Sequence, residues 1–182
     1  FARFNLGVAL VKSGDDAGGT TLLDAIGRTP AATEEERSLR DRTNLALGVA
    51  FLQGQRADDA QRALERVRLS SLHANKALLG FGWAAAARKQ PALALVSWTE
   101  LAGRDASDPA VLEARIALPF AHFEAGAYGR SLELYEQAVD AYDAEARRLE
   151  ASIAAIRTGN LIDGLLQHNP ADEMGGSGQV RK

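Results

Sequence analysis

Apolar residues recur along most of the chain at alternating spacings of three and four residues, the period of an amphipathic α-helix. No segment shows sustained alternation of apolar and polar residues, so the pattern predicts an all-α protein. One apolar skeleton occurs four times, which indicates an internal repeat. It reads Leu6-Gly7, Leu10, Gly14, Leu23 and Ile26, then Leu47-Gly48, Phe51, Gly54, Ala60, Leu64 and Val67, then Phe81-Gly82, Ala85, Ala94, Trp98 and Leu101, and finally Leu118-Pro119, His122, Gly126, Ser131, Tyr135 and Ala138.

This skeleton resembles the tetratricopeptide repeat (TPR), in which a large apolar residue and a small residue precede an aromatic position and a turn glycine. Gly7, Gly48, Gly82 and Pro119 hold the small position and are separated by 41, 34 and 37 residues, against a TPR period of about 34. The resemblance covers roughly residues 1–140. It implies a right-handed α-solenoid of about four TPR-like helical hairpins with a long C-terminal helix.

The repeats set the expected domain organisation. We expect hairpins at about 1–28, 34–69, 72–103 and 109–140, a long helix over 128–158 that continues the fourth hairpin, and a short turn with a mobile tail over 159–182. Helix-end signals agree with these limits, because Gly14, Gly54 and Gly126 lie where a helix should stop. The candidate N-caps are Thr33 (in a capping box with Glu36), Asp58, Ser71 and Asp108 (before Pro109).

The small residues of the first helix in each hairpin have a packing interpretation. A glycine inside a helix costs about 1 kcal/mol relative to alanine, so Gly7, Gly48 and Gly82 are expected to admit close approach of the second helix. Pro119 removes one backbone hydrogen bond and is expected to kink its helix.

The last helix carries an apolar seam of two residues in seven, a pattern typical of coiled coils. Its first half is expected to pack inside the array. Its second half would either cap the last repeat or pair with a second copy or with sequence outside this chain. The seam consists of Leu132, Tyr135, Val139, Tyr142, Ala146, Leu149, Ile153 and Ile156, of which Val139, Tyr142, Leu149, Ile153 and Ile156 are the candidate self-association residues.

The resemblance also implies a binding groove, because the first helices of TPR hairpins line a concave face. These helices are apolar on the core face and again on the lining face, which favours a groove for an apolar or amphipathic segment. The alternative is that neighbouring repeats or a helix of the same chain bury these residues. The predicted lining residues are Phe4, Val8, Lys12, Arg42, Leu45, Val49, Gln53, Lys76, Leu79, Trp83, Ile116, Phe120, Phe123 and Glu124.

Some TPR domains hold a carboxyl terminus with basic residues. That arrangement is not expected here, because Lys12, Arg42 and Lys76 are the only basic lining residues and Val8 and Val49 hold positions used for it. We therefore interpret the chain as a non-catalytic protein–protein interaction scaffold. The alternatives are a structural element that forms a homodimer through its last helix, or a targeting arm of a larger enzyme.

Composition narrows the classes of function. A net charge of −3 gives no electrostatic case for nucleic acid, and no apolar run reaches the roughly 18 residues of a membrane span. With no cysteine and no second ligand near His73, His122 or His168, no metal or other cofactor is expected. The excess of Arg and Ala is typical of a GC-rich bacterial genome, with cytoplasm and periplasm both open. The chain begins at Phe1 inside an apolar pattern, as expected of a fragment of a longer protein.

Overall fold

The computed structural model describes residues 1–158, which form eight α-helices and contain no β-strand. The all-α class predicted from the sequence is therefore confirmed, and the expected turn and tail over 159–182 lie outside the described residues. The helices are α1 (Ala2–Lys12), α2 (Asp16–Gly27), α3 (Glu34–Gln53), α4 (Ala57–Leu64), α5 (Ala74–Ala87), α6 (Pro91–Ala102), α7 (Pro109–Glu124) and α8 (Tyr128–Arg157).

The helices pack in chain order. Helix α1 packs on α2, α3 on α4 and α5 on α6, and each hairpin also contacts the next one. The odd-numbered helices contact one another as well, α1 with α3, α3 with α5, and α5 with α7. This arrangement is a stack of helical hairpins within residues 1–141, which form one compact unit, while the described residues after 141 lie in a second.

The turns inside the four hairpins share one backbone geometry. The residue with left-handed φ is Gly14 (92°), Gln55 (56°), Lys89 (56°) or Gly126 (77°). After it, the next N–H donates to a carbonyl five residues back, as from Asp15 to Leu10. These residues are 41, 34 and 37 apart, the offsets of the sequence skeleton, so turn and skeleton repeat together. In the second hairpin the left-handed residue follows Gly54, whose own φ is −81°.

Two of the predicted N-caps are confirmed. The Thr33 hydroxyl accepts from the Glu36 N–H (3.2 Å) and the Glu36 carboxylate accepts from the Thr33 N–H (3.1 Å), a complete capping box. The Asp108 carboxylate accepts from the Ala110 N–H (2.8 Å), with Pro109 as the first helical residue.

The other two N-cap predictions were wrong. Asp58 lies inside the first turn of α4, where its carboxylate pairs with the Arg88 guanidinium (2.6 Å) instead of capping. The Ser71 hydroxyl accepts from the His73 N–H (3.1 Å) in the turn before α5. Helix α5 then begins at Ala74, because this local hydrogen bond holds the Ser71 side chain outside the helix.

The predicted close packing at the small positions is confirmed. A Cβ added at Gly7 would lie 2.9 Å from the Leu23 side chain, shorter than real carbon contacts. At Gly82 an added Cβ would meet the indole of Trp98 closer still. The Trp98 ring is fully buried and its indole N–H donates to the Leu79 carbonyl (3.2 Å), so it occupies the space that the glycine leaves.

Helix α8 packs on α7 with the face that carries the skeleton residues Ser131 and Ala138, while its heptad seam faces outward. Its buried residues are Ser131, Leu134 and Ala138, and the Ser131 hydroxyl donates to the Pro119 carbonyl (2.8 Å) on α7. The first seam residues, Leu132, Tyr135 and Val139, are exposed. The first half of α8 therefore packs on α7 through these residues and not through the seam, because the small side chains of Ser131 and Ala138 allow close approach of α7 and turn the bulkier neighbours outward.

Polar side chains stabilise the second hairpin and its contact with the first. The Asp41 carboxylate is fully buried and accepts from Arg68 (2.8 Å), whose guanidinium also pairs with Glu34 (2.8 Å). The buried Asn44 amide donates to the Gly27 carbonyl (3.0 Å) at the end of α2. Since buried polar groups need partners, the Arg68 bonds hold the second hairpin together, and the Asn44 bond fixes it against the end of α2.

Candidate binding groove

Helices α1, α3 and α5 border an open cavity of about 680 Å³, called the N-terminal groove below. Leu23 of α2 and His73, which directly precedes α5, complete its wall. Its lining consists of Phe4, Asn5, Val8, Ala9, Val11, Lys12, Leu23, Arg42, Leu45, Ala46, Val49, Ala50, Gln53, His73 and Lys76.

The structure brings part of the predicted lining together at this cavity. Since the lining positions of three consecutive hairpins meet there, the groove is one continuous surface and not a set of separate side chains. The predicted residues that line it are Phe4, Val8, Lys12, Arg42, Leu45, Val49, Gln53 and Lys76.

Aliphatic side chains form the middle of the groove. Val49 is 42% exposed, and Val8 and Leu45 are half-buried beside it. Phe4 differs from the prediction, because it is buried, with the Arg42 guanidinium carbon 4.9 Å above its ring centroid. Phe4 therefore supports Arg42 from below, as in a cation–π pair, while the valine and leucine side chains supply the accessible apolar surface.

The charged residues that line the groove are all basic. Lys12, Arg42 and Lys76 contribute three cations, and no Asp or Glu is among the lining residues. Arg42 lies over Phe4, whereas Lys12 ends α1 eight residues later, roughly 12 Å along the helix axis. The groove therefore has an apolar middle with positive charge toward both ends.

His73 is a groove residue that the sequence pattern did not predict. It lies just before α5, outside the helical positions that the TPR resemblance places on the lining face. Partial burial lowers the pKa of His73, and the nearby charges of Arg42 and Lys76 lower it further against the opposing effect of Asp41. The imidazole is thus held toward its neutral form beside two cations.

The remaining predicted lining residues lie on α5 and α7. Trp83 contacts Trp98 edge-on (centroids 4.8 Å apart) and Phe120 (6.1 Å), and its indole N–H donates to the Glu113 carboxylate (3.0 Å). Leu79 and Phe120 pack against the buried core. Ile116, Phe123 and Glu124 are exposed. Part of this predicted surface is therefore core packing, in line with the alternative of burial by neighbouring repeats.

The seam on α8 is a second exposed apolar surface. The five candidate self-association residues have exposed fractions between 38% and 61%.

Among residues 1–158, no group of three or more His, Asp or Glu side chains could hold a metal ion. In the same part of the chain, no helix is both long and apolar enough to cross a membrane.

Comparison with solved structures identifies a similar fold. The structure of the TPR-like protein MamA (AMB-1) superposes with a TM-score of 0.58 at 18% sequence identity, over 97% of this chain and 92% of that chain. No protein-family model and no curated protein matches the sequence. With the repeated turns and contacts, this likeness establishes a TPR-like helical-repeat fold.

Proposed function

We propose that the chain is a non-catalytic scaffold that binds an apolar or amphipathic segment of a partner protein in the N-terminal groove. The observation that carries the proposal is the accessible aliphatic surface of Val8, Leu45 and Val49 inside a groove lined by three hairpins. Clustered apolar surface that faces solvent usually marks a binding site. An amphipathic helix can bury its apolar face in such a groove.

The polar lining supports recognition better than chemistry. Asn5, Gln53 and the three cations can hold polar groups of a bound segment, whereas the lining includes no carboxylate and no hydroxyl that His73 could activate. The TPR-like fold of the neighbour supports a protein as the partner class.

The test is a selection of helix-forming peptides from a display library against the chain, followed by affinity measurement with two matched variants. Val49→Asp places a carboxylate in the groove, whereas Val96→Asp makes the same change on α6, where Val96 is 69% exposed and outside the groove lining. Both positions are exposed, so both variants should keep their fold. We expect Val49→Asp to weaken binding by roughly tenfold or more, because a bound apolar segment would desolvate the new charge.

Equal effects of Val49→Asp and Val96→Asp on affinity would contradict the proposal, since binding would then not involve the groove. Circular dichroism of both variants provides the control for folding.

A further inference from the structure

The α8 seam has acidic flanks. Residues beside an apolar seam face the partner helix in a coiled coil, and three of them here, Glu136, Asp143 and Glu150, follow one another at intervals of seven. Glu145 lies on the other side of the seam and pairs with Arg148. Arg157 is the one basic residue at a flanking position between 136 and 157.

These flanks oppose pairing of the seam with itself. In a parallel pair of seams, Glu145 of one helix would face Glu150 of the other. In an antiparallel pair, the row of Glu136, Asp143 and Glu150 on one helix would face the same row on the other. Like charges across such an interface destabilise it. The seam therefore favours an apolar surface with basic borders over a copy of itself.

The N-terminal groove has the complementary character. Its middle is aliphatic and its charged residues, Lys12, Arg42 and Lys76, are all basic. The spacing also agrees, because Asp143 and Glu150 are seven residues apart, roughly 10 Å along a helix. That separation is close to the roughly 12 Å between the Lys12 and Arg42 ends of the groove.

We propose that the occupant of the N-terminal groove is the α8 seam of a second copy of this chain. In this contact the seam buries the apolar side chains of Val139, Tyr142, Ala146 and Leu149 against Leu45 and Val49. The flanking carboxylates of Asp143 and Glu150 face the groove cations. This inference rests on the proposed role of the groove as a binding surface and names the partner. The contact joins two different surfaces, so assembly continues from copy to copy into a ring or an open chain.

Charge reversal in the full chain tests this contact by sedimentation velocity over a concentration series at low and high salt. The groove variant is Lys12→Glu/Lys76→Glu, and the seam variant is Asp143→Lys/Glu150→Lys. A control, Arg62→Glu/Lys89→Glu, changes the net charge as the groove variant does, at positions that do not line the groove. Circular dichroism checks the helical content of each.

We expect the unaltered chain and the control to self-associate in a salt-sensitive manner, and each test variant alone to associate at least tenfold more weakly. Mixing the two test variants should restore assembly, because each groove then meets a seam of opposite charge. Val49→Asp should weaken assembly in every combination.

Two results would overturn the inference: an unaltered chain that stays monomeric up to its solubility limit, or a groove variant that assembles as the unaltered chain does. The second result would indicate pairing of the seam with itself. If the chain is monomeric while selected peptides still bind the groove, this inference fails and the scaffold function stands. If neither peptides nor copies bind the groove, both fail.

Discussion

For single residues, close contacts between the two helices of each of the first three hairpins explain why the small positions of these repeats are glycines. Gly7, Gly48 and Gly82 face Leu23, Leu64 and Trp98 on the second helix of their hairpins, with no space for a side chain. The sequence predicted this packing because a glycine inside a helical pattern needs a compensating contact. It could not predict exposure, and Phe4 and Phe120, both expected to face a ligand, serve instead to support Arg42 and the core.

Gly82→Ala is expected to lower the free energy of unfolding by about 1 kcal/mol or more. The added methyl group would collide with the buried Trp98 ring, and overpacking of this kind costs about 1–3 kcal/mol, more than the gain in helix propensity. Gly129→Ala is the matched control, because nothing lies within 4 Å of an added Cβ there, and it should be neutral or stabilise by up to about 1 kcal/mol. Urea unfolding of both variants measures the difference, and equal stabilities would refute the packing argument.

At the scale of elements, the repeat extends to the backbone of the turns. The sequence located two of the four left-handed residues, Gly14 and Gly126, from their glycines. It could not locate Gln55 and Lys89, since neither residue type indicates a left-handed φ. On α8 the skeleton residues Ser131 and Ala138 indicated the buried face, whereas the heptad seam predicts a helix but does not say which of its faces meets α7.

Lys89→Gly is expected to raise the free energy of unfolding by up to about 1 kcal/mol. A residue with a side chain pays about 1–2 kcal/mol for the left-handed conformation, and this gain is reduced by the greater freedom of glycine in the unfolded chain. Gly126→Ala, at the equivalent turn, should have the opposite sign. Thermal unfolding by circular dichroism is suitable for both, and a Lys89→Gly variant of lower stability would show that its side chain stabilises the turn.

At the scale of the whole molecule, the sequence predicted the helical repeat from spacing alone, since the same offsets govern the skeleton and the turns. It predicted an apolar groove and named Lys12, Arg42 and Lys76 as its only basic lining residues, without indicating that the three border one cavity. Whether these residues meet at one cavity depends on how three hairpins stack, and the spacing of residues within one hairpin does not determine that. The same limitation applies to His73, which reaches the groove from a connecting segment.

The stability of the fold is expected to decrease in two steps as the pH is lowered. Burial lowers the pKa of His73, so the unfolded chain takes up this proton more readily, and stability is lost as pH falls below about 6.5. Burial acts to raise the pKa of Asp24, but hydrogen bonds from Arg66 and Arg28 outweigh it and the pKa is lowered. The Arg68 hydrogen bond likewise lowers the pKa of Glu34.

These carboxylates stabilise the fold above their unfolded pKa values of about 4, and that stability is lost as pH falls through the lower folded values. Urea midpoints between pH 8 and 3 measure both steps. His73→Gln should remove the step near neutral pH and leave the acid step. A first step that survives this substitution would assign it to another group.

An NMR map of a bound segment tests directly whether the N-terminal groove is the binding surface. A selected amphipathic peptide, or a peptide spanning residues 132–157, is titrated into the isotope-labelled chain while backbone amide shifts are followed. We predict that the shifts concentrate on α1, α3 and the start of α5 and disappear in Val49→Asp but not in Val96→Asp. Shifts confined to the outer face of α6 or to α8, unaffected by Val49→Asp, would contradict the claim.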